Sequence, residues 1–230
     1  MNFSKYKNYF TKSEKILWAS SLILIVVSFV AFDRENYLTL TASIIGATSL
    51  IFNAKGNPFG QLLMIIFSIL YGIISYSFKY YGEMITYLGM TAPMALFALI
   101  SWLKNPYMGN KSEVSVNSIS KKETVLMIFL SVLVTIIFYF ILAFFNTANM
   151  LPSTISVTTS FLAVHLTFRR SPYFALLYAA NDIVLILLWI LATQEDISYL
   201  SVAICFIMFL INDLYGFYNW LRIHERQKRL

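Results

Sequence analysis

Eight apolar runs, separated by polar, Gly or Pro positions, dominate this chain. They lie near residues 14–32, 37–54, 59–78, 82–103, 122–145, 150–168, 172–193 and 197–221. A helix needs roughly 20 apolar residues to cross the hydrocarbon of a bilayer, and each run meets or approaches that length. Breaks fall at Gly56-Asn57-Pro58, Gly82, Asn105-Pro106, Pro152 and Ser171-Pro172. Proline suits a helix start, where the N–H it lacks would have no intrahelical partner. The pattern predicts an all-α membrane protein with eight transmembrane helices.

The pattern also recurs. Asn57-Pro58-Phe59 returns as Ser171-Pro172-Tyr173, Thr86-Tyr87-Leu88 as Ser198-Tyr199-Leu200, and Trp102-Leu103 as Trp220-Leu221. Runs 2–4 and 6–8 therefore read as two three-helix bundles. Three is odd, so one linker helix gives the second bundle the orientation of the first. Parallel repeats of this kind place a substrate between the halves near the midplane. The predicted layout is a terminus and extra helix over 1–36, a first bundle over 37–104, and a loop plus linker helix over 105–149. A second bundle follows over 150–222, then a basic tail over 223–230.

Composition supports this class: 59% of residues are hydrophobic and 12% charged, with a mean hydropathy of +0.70. Soluble domains carry about 25% charge. The net charge of +6 could suggest nucleic acid, but its distribution argues otherwise. Of the 17 Lys and Arg, all but Arg34 and Lys79 fall on one side if there are eight spans. They sit at Lys5, Lys7, Lys12 and Lys15, at Lys55, at Lys104, Lys111, Lys121 and Lys122, at Arg169 and Arg170, and from Arg222 onward. Positive loops mark the cytoplasmic side, so both termini are expected there, without a nucleic-acid partner. The first run lacks a small-residue cleavage site and reads as a retained span. Cys205 reads as a packing residue.

Candidate chemistry lies inside the spans. Asn181-Asp182 and Asn212-Asp213 occupy depths where such side chains are costly unless they face a cavity or partner. Asn212, Tyr215, Gly216 and Asn219 share one helix face, flanked by Asp213 and Trp220; Tyr178, Asp182 and Trp189 share another. Gln61, Ser68, Tyr71 and Ser75 form a third stripe. Aromatics interleaved with amides and carboxylates suit a flat heterocycle bearing hydroxyls. The expected substrate-binding residues are Gln61, Tyr71, Tyr178, Asn181, Asp182, Trp189, Asn212, Asp213, Tyr215 and Asn219. The bland alternative is interhelical bonding, at about 0.6 kcal/mol each. Trp102 and Trp220 read as interfacial anchors, His165 as a packed histidine, and Glu83 as a carboxylate suited to a helix N-terminus. One Cys and two His make no metal cluster, and no Walker A loop or nucleophile motif is present. No enzyme and no cofactor are expected. The longest loop, about 104–121, leaves little room for a signalling domain, which disfavours a receptor.

The stretches Asn57-Pro58, Tyr81-Gly82-Glu83-Met84, Tyr178-Ala179-Ala180-Asn181-Asp182 and Asn212-Asp213-Leu214-Tyr215-Gly216-Phe217-Tyr218-Asn219-Trp220 resemble the PnuC family of bacterial vitamin transporters. The likeness covers about residues 37–222. It implies a SWEET-like arrangement of two bundles and a linker helix, a cell (inner) membrane location in contact with lipid, and a trimer. It also implies uptake of nicotinamide riboside by facilitated diffusion, trapped by a separate cytoplasmic kinase. Members of the riboside type tend to carry a Trp pair where this chain has Ala175 and Tyr178, and a Trp is common at Gln61. Deoxynucleosides, thiamine or riboflavin are therefore alternative solutes, and proton coupling through Asp182 is an alternative mode.

Overall fold

A computed structural model of the protein describes residues 9–77 and 80–229; Lys5, Lys7 and Lys79 of the charge pattern lie outside them. Among the described residues, eight helices are long and apolar enough to cross a membrane. They are α1 (Lys12–Phe32), α2 (Tyr37–Ala54), α3 (Pro58–Ser77), α4 (Tyr81–Lys104), α5 (Lys121–Phe144), α6 (Met150–Phe168), α7 (Phe174–Ala192) and α8 (Leu200–Lys228), the last preceded by a 3₁₀ turn at Ile197–Tyr199. The chain is an integral membrane protein.

Local chemistry sets the helix boundaries. α1 and α5 each open with a capping box, Thr11 with Glu14 and Ser120 with Glu123, which satisfies amide donors that have no intrahelical acceptor. α4 widens into a π turn at Tyr87–Thr91 just before Pro93. Proline offers no N–H to the preceding turn, and the ladder accommodates it by slipping one residue. α8 runs on to Lys228 through most of the segment read as a tail. Its last turns are held by a hairpin that the hydrophobic pattern does not announce: Pro106–Tyr107 pairs with Asn110–Val114. Positive φ at Met108 and Gly109 makes the two-residue turn. Glu113 of that hairpin pairs with Arg226, and Gln227 Nε2 donates to Glu113 Oε1 at 2.9 Å.

Within the first bundle α3 packs on α2 and α4, and within the second α7 packs on α6 and α8. The bundles meet along two seams, α2 on α8 and α4 on α6, while α5 lies on α6 and α1 covers α2 and α8. If α2, α3 and α4 are equated with α6, α7 and α8, one seam maps onto the other. The repeat extends to single bonds. Asn57 N donates to Phe52 O, and Ser171 N to Leu166 O, both at 3.0 Å. Gly56 and Arg170 take left-handed φ values of 65° and 57° at equivalent turns. Trp220 Nε1 donates to Asn53 O at 2.7 Å, and Trp102 Nε1 to Thr167 O at 2.9 Å.

Those two indoles correct a sequence expectation. Neither is an interfacial anchor: both are 0% exposed and their rings lie 5.3 Å apart. Each reaches across a seam to a carbonyl of the other bundle, so tertiary packing overrides their position near a helix end.

Candidate functional site

The chain gathers buried polar groups into a band where α6, α7 and α8 of the second bundle meet, and Glu83 of α4 reaches it from the first. Asn181 of α7 anchors it. Its Oδ1 accepts from Ser156, Thr159 and Ser160 of α6 at 3.3, 2.8 and 3.0 Å. Those hydroxyls stand at i, i+3 and i+4, so one helix face presents all three to one amide oxygen. Asp182, the next residue on α7, is 4% exposed and its carboxyl meets that of Asp213 on α8, itself 5% exposed. Asp182 Oδ2 has no partner. Tyr178, one turn below, meets Thr167 of α6.

Aromatic rings close the band at both ends. On the Arg34 side Trp189 of α7 donates to the Tyr71 hydroxyl of α3 at 2.7 Å, joining the bundles. Tyr71 and Tyr87 lie 4.3 Å apart, Tyr80 and Trp189 5.0 Å, and Trp189 and Tyr199 5.6 Å. At the basic end Phe174 stands against Trp220 at 4.8 Å and Trp102 at 6.1 Å. Among the described residues, the cavity beside Tyr71, Ser43, Cys205 and Phe206 measures about 10 Å³. That is room for about one water. Larger cavities lie at the margin, about 510 Å³ between α1 and α2 and about 460 Å³ at the basic end beside Lys55, Asn219 and Arg222.

Of the residues singled out from sequence, Tyr178, Asn181, Asp182 and Asp213 come together in the band, and Tyr71 with Trp189 roofs it. The others face elsewhere. Asn212 Nδ2 donates to Ser21 of α1 at 2.9 Å and to Met208 O at 2.7 Å. Tyr215 donates to Glu14 of α1 at 2.9 Å, and Asn219 to Ala54 O of α2 at 2.8 Å. Gln61 donates to Asn53 Oδ1 at 2.8 Å across the α2–α3 contact. There Gly60 allows the approach, since a Cβ on it would sit 2.3 Å from Asn53 Oδ1. One residue of the band escaped the sequence reading. Glu83 of α4 is 2% exposed, meets the Ser156 hydroxyl, and keeps Oε2 without a partner. The available signal was a carboxylate immediately after the Gly82 break, which reads equally well as a helix-start residue.

Comparison with known proteins agrees with this architecture. The family described as "Nicotinamide mononucleotide transporter" matches residues 36–222. The nicotinamide riboside transporter PnuC of Neisseria mucosa is 25% identical over 214 residues, covering 91% of this chain and 81% of that protein. The protein of the same name from Haemophilus influenzae is 22% identical over 220 residues, covering 94% and 92%. Among solved structures, the crystal structure of the vitamin B3 transporter PnuC superposes with a TM-score of 0.83 at 26% identity, covering 95% of this chain and 94% of that one. With the family matched over most of its length and the fold shared throughout, the chain belongs to the PnuC family of membrane transporters and is not an enzyme.

Proposed function

We propose that this protein takes up nicotinamide riboside, or a closely related nucleoside-like vitamin precursor, across the bacterial inner membrane. The observation that carries the reading is the polar band of Tyr178, Asn181, Asp182 and Asp213 held between two aromatic closures. Carboxyls and an amide suit ribose hydroxyls and a carboxamide, and the rings suit stacking on a heterocycle. Opening one closure at a time gives alternating access. The solute moves down its gradient by facilitated diffusion, with both termini cytoplasmic and a separate kinase retaining the product by phosphorylation. The protein assembles as a trimer on the same family likeness.

A nucleoside fits better than a nucleotide. The band holds Glu83, Asp182 and Asp213, while the described Lys and Arg stand at helix ends and in loops. A phosphate there would meet like charge without a cation. Purified protein in liposomes loaded with a nicotinamide riboside kinase and ATP tests the proposal. Accumulation of radiolabelled riboside, competed by unlabelled riboside and not by the mononucleotide, is expected. Equal competition by thiamine, riboflavin or deoxynucleosides would redirect the solute assignment.

The contact between Asp182 and Asp213 favours one second reading, proton coupling, because two touching acids can share a proton and pass it on. Uptake with and without an imposed pH gradient separates the modes: an unchanged initial rate supports facilitated diffusion, and acceleration supports coupling.

A further inference from the structure

Glu83 stands at the third position of α4, yet its carboxyl is turned away from the solvent. It is 2% exposed, and Oε2 has no partner. The Ser156 hydroxyl that meets it also lies 3.3 Å from Asn181 Oδ1. One hydroxyl proton cannot serve both acceptors at once. Asp182 Oδ2 is also unpartnered, and Asn181 Oδ1 draws on three hydroxyls. Tyr87 lies one helical turn beyond Glu83 on α4, and its ring packs against that of Tyr71 at 4.3 Å. An electron-rich ring one helical turn from a buried acid suits a cationic group. Charged side chains inside a membrane protein are paired or face a transported solute, and among the described residues no Lys or Arg pairs with Glu83.

We propose that Glu83 contacts the solute directly and supplies the counter-charge that selects a positively charged heterocycle over a neutral one of the same shape. The proposal rests on the band being the transport site. Asn181, linked to Glu83 through Ser156, places the acid beside the residues that would read the rest of the solute, while the tyrosines flank the ring.

The test compares two probes of nearly equal shape, nicotinamide riboside with its pyridinium cation and the reduced 1,4-dihydro form, which is neutral. Calorimetric binding is measured on purified wild type and E83Q, with thermal melting as a check on folding. In E83Q the affinity for the cation is expected to fall by roughly tenfold or more while that for the neutral form changes less than about twofold. An equal loss for both probes, or no loss for either, overturns the proposal. Should E83Q fail to fold, E83D retains the charge on a shorter arm and is expected to keep the preference for the cation. Loss of that preference in E83D also overturns it. Wild type that binds neither probe defeats the riboside reading itself, whereas binding of both with an unchanged ratio in E83Q defeats only the role of Glu83.

Discussion

At the scale of single residues, neighbours in sequence divide between two tasks. Asp213 meets Asp182 in the band, while Asn212, one position earlier and about 100° around the helix, bonds Ser21 of α1. Their substitutions should therefore separate. Asn212→Ala is expected to lower the melting temperature in detergent, at a cost of about 0.6–1.7 kcal/mol for a bond inside the membrane, with riboside affinity within about threefold of wild type. Asp182→Asn and Asn181→Ala are expected to cut affinity by roughly tenfold or more with a smaller effect on melting. Calorimetry and thermal unfolding on the same preparations check both. Sequence could show that Asn212, Tyr215 and Asn219 share a face, because helical spacing is regular. It could not show what that face meets, and α1 occupies it.

α1 shows how an added element binds to a core. The family match begins at residue 36, just beyond this helix. Its attachment is polar. Trp18 Nε1 donates to Thr48 Oγ1 at 3.1 Å, Ser21 accepts from Asn212, and the buried Glu14 holds Lys55 at 3.2 Å and Tyr215 at 2.9 Å. These partners lie on both α2 and α8, so the helix staples one of the two seams. Removing one member of a buried charged network leaves its partners unsatisfied, which costs about 1–3 kcal/mol. Glu14→Ala is expected to destabilise by that amount, discounted because Lys55 is partly solvated, and Lys55→Ala by less; melting curves of the two variants check the order. Helices were legible as elements because each span needs a long apolar run and charge tracks sidedness. The hairpin at Pro106–Val114 was not. Strands of two and five residues carry no usable period, and their order comes from docking: Val114 N donates to Gly56 O at 2.9 Å and Val116 N to Gln227 Oε1 at 2.8 Å.

In the whole molecule two bundles meet along two seams that exchange when α2–α4 are equated with α6–α8, and Trp102 and Trp220, one from each bundle, lie 5.3 Å apart. The helix contacts are consistent with the two three-helix bundles expected from the doubled sequence. That sequence did not reveal that these indoles meet, since a Trp near a helix end usually marks the membrane boundary. If they act as one closure, W102A and W220A should not be additive. A double-mutant cycle on thermal stability is expected to give a coupling of about 0.5–1.5 kcal/mol, the range for aromatic pairs. Full additivity would mean that the rings touch without sharing energy.

Each indole is also hydrogen-bonded to a backbone carbonyl of the opposite bundle. A swing that pulls one ring from its acceptor moves the surface carrying the other acceptor, so the two bonds should break together. A half-released exit would hold one ring in place against a partner already gone, and its population should be negligible. Release toward the basic side would then be a single-step event, giving one exponential phase in stopped-flow indole emission instead of two.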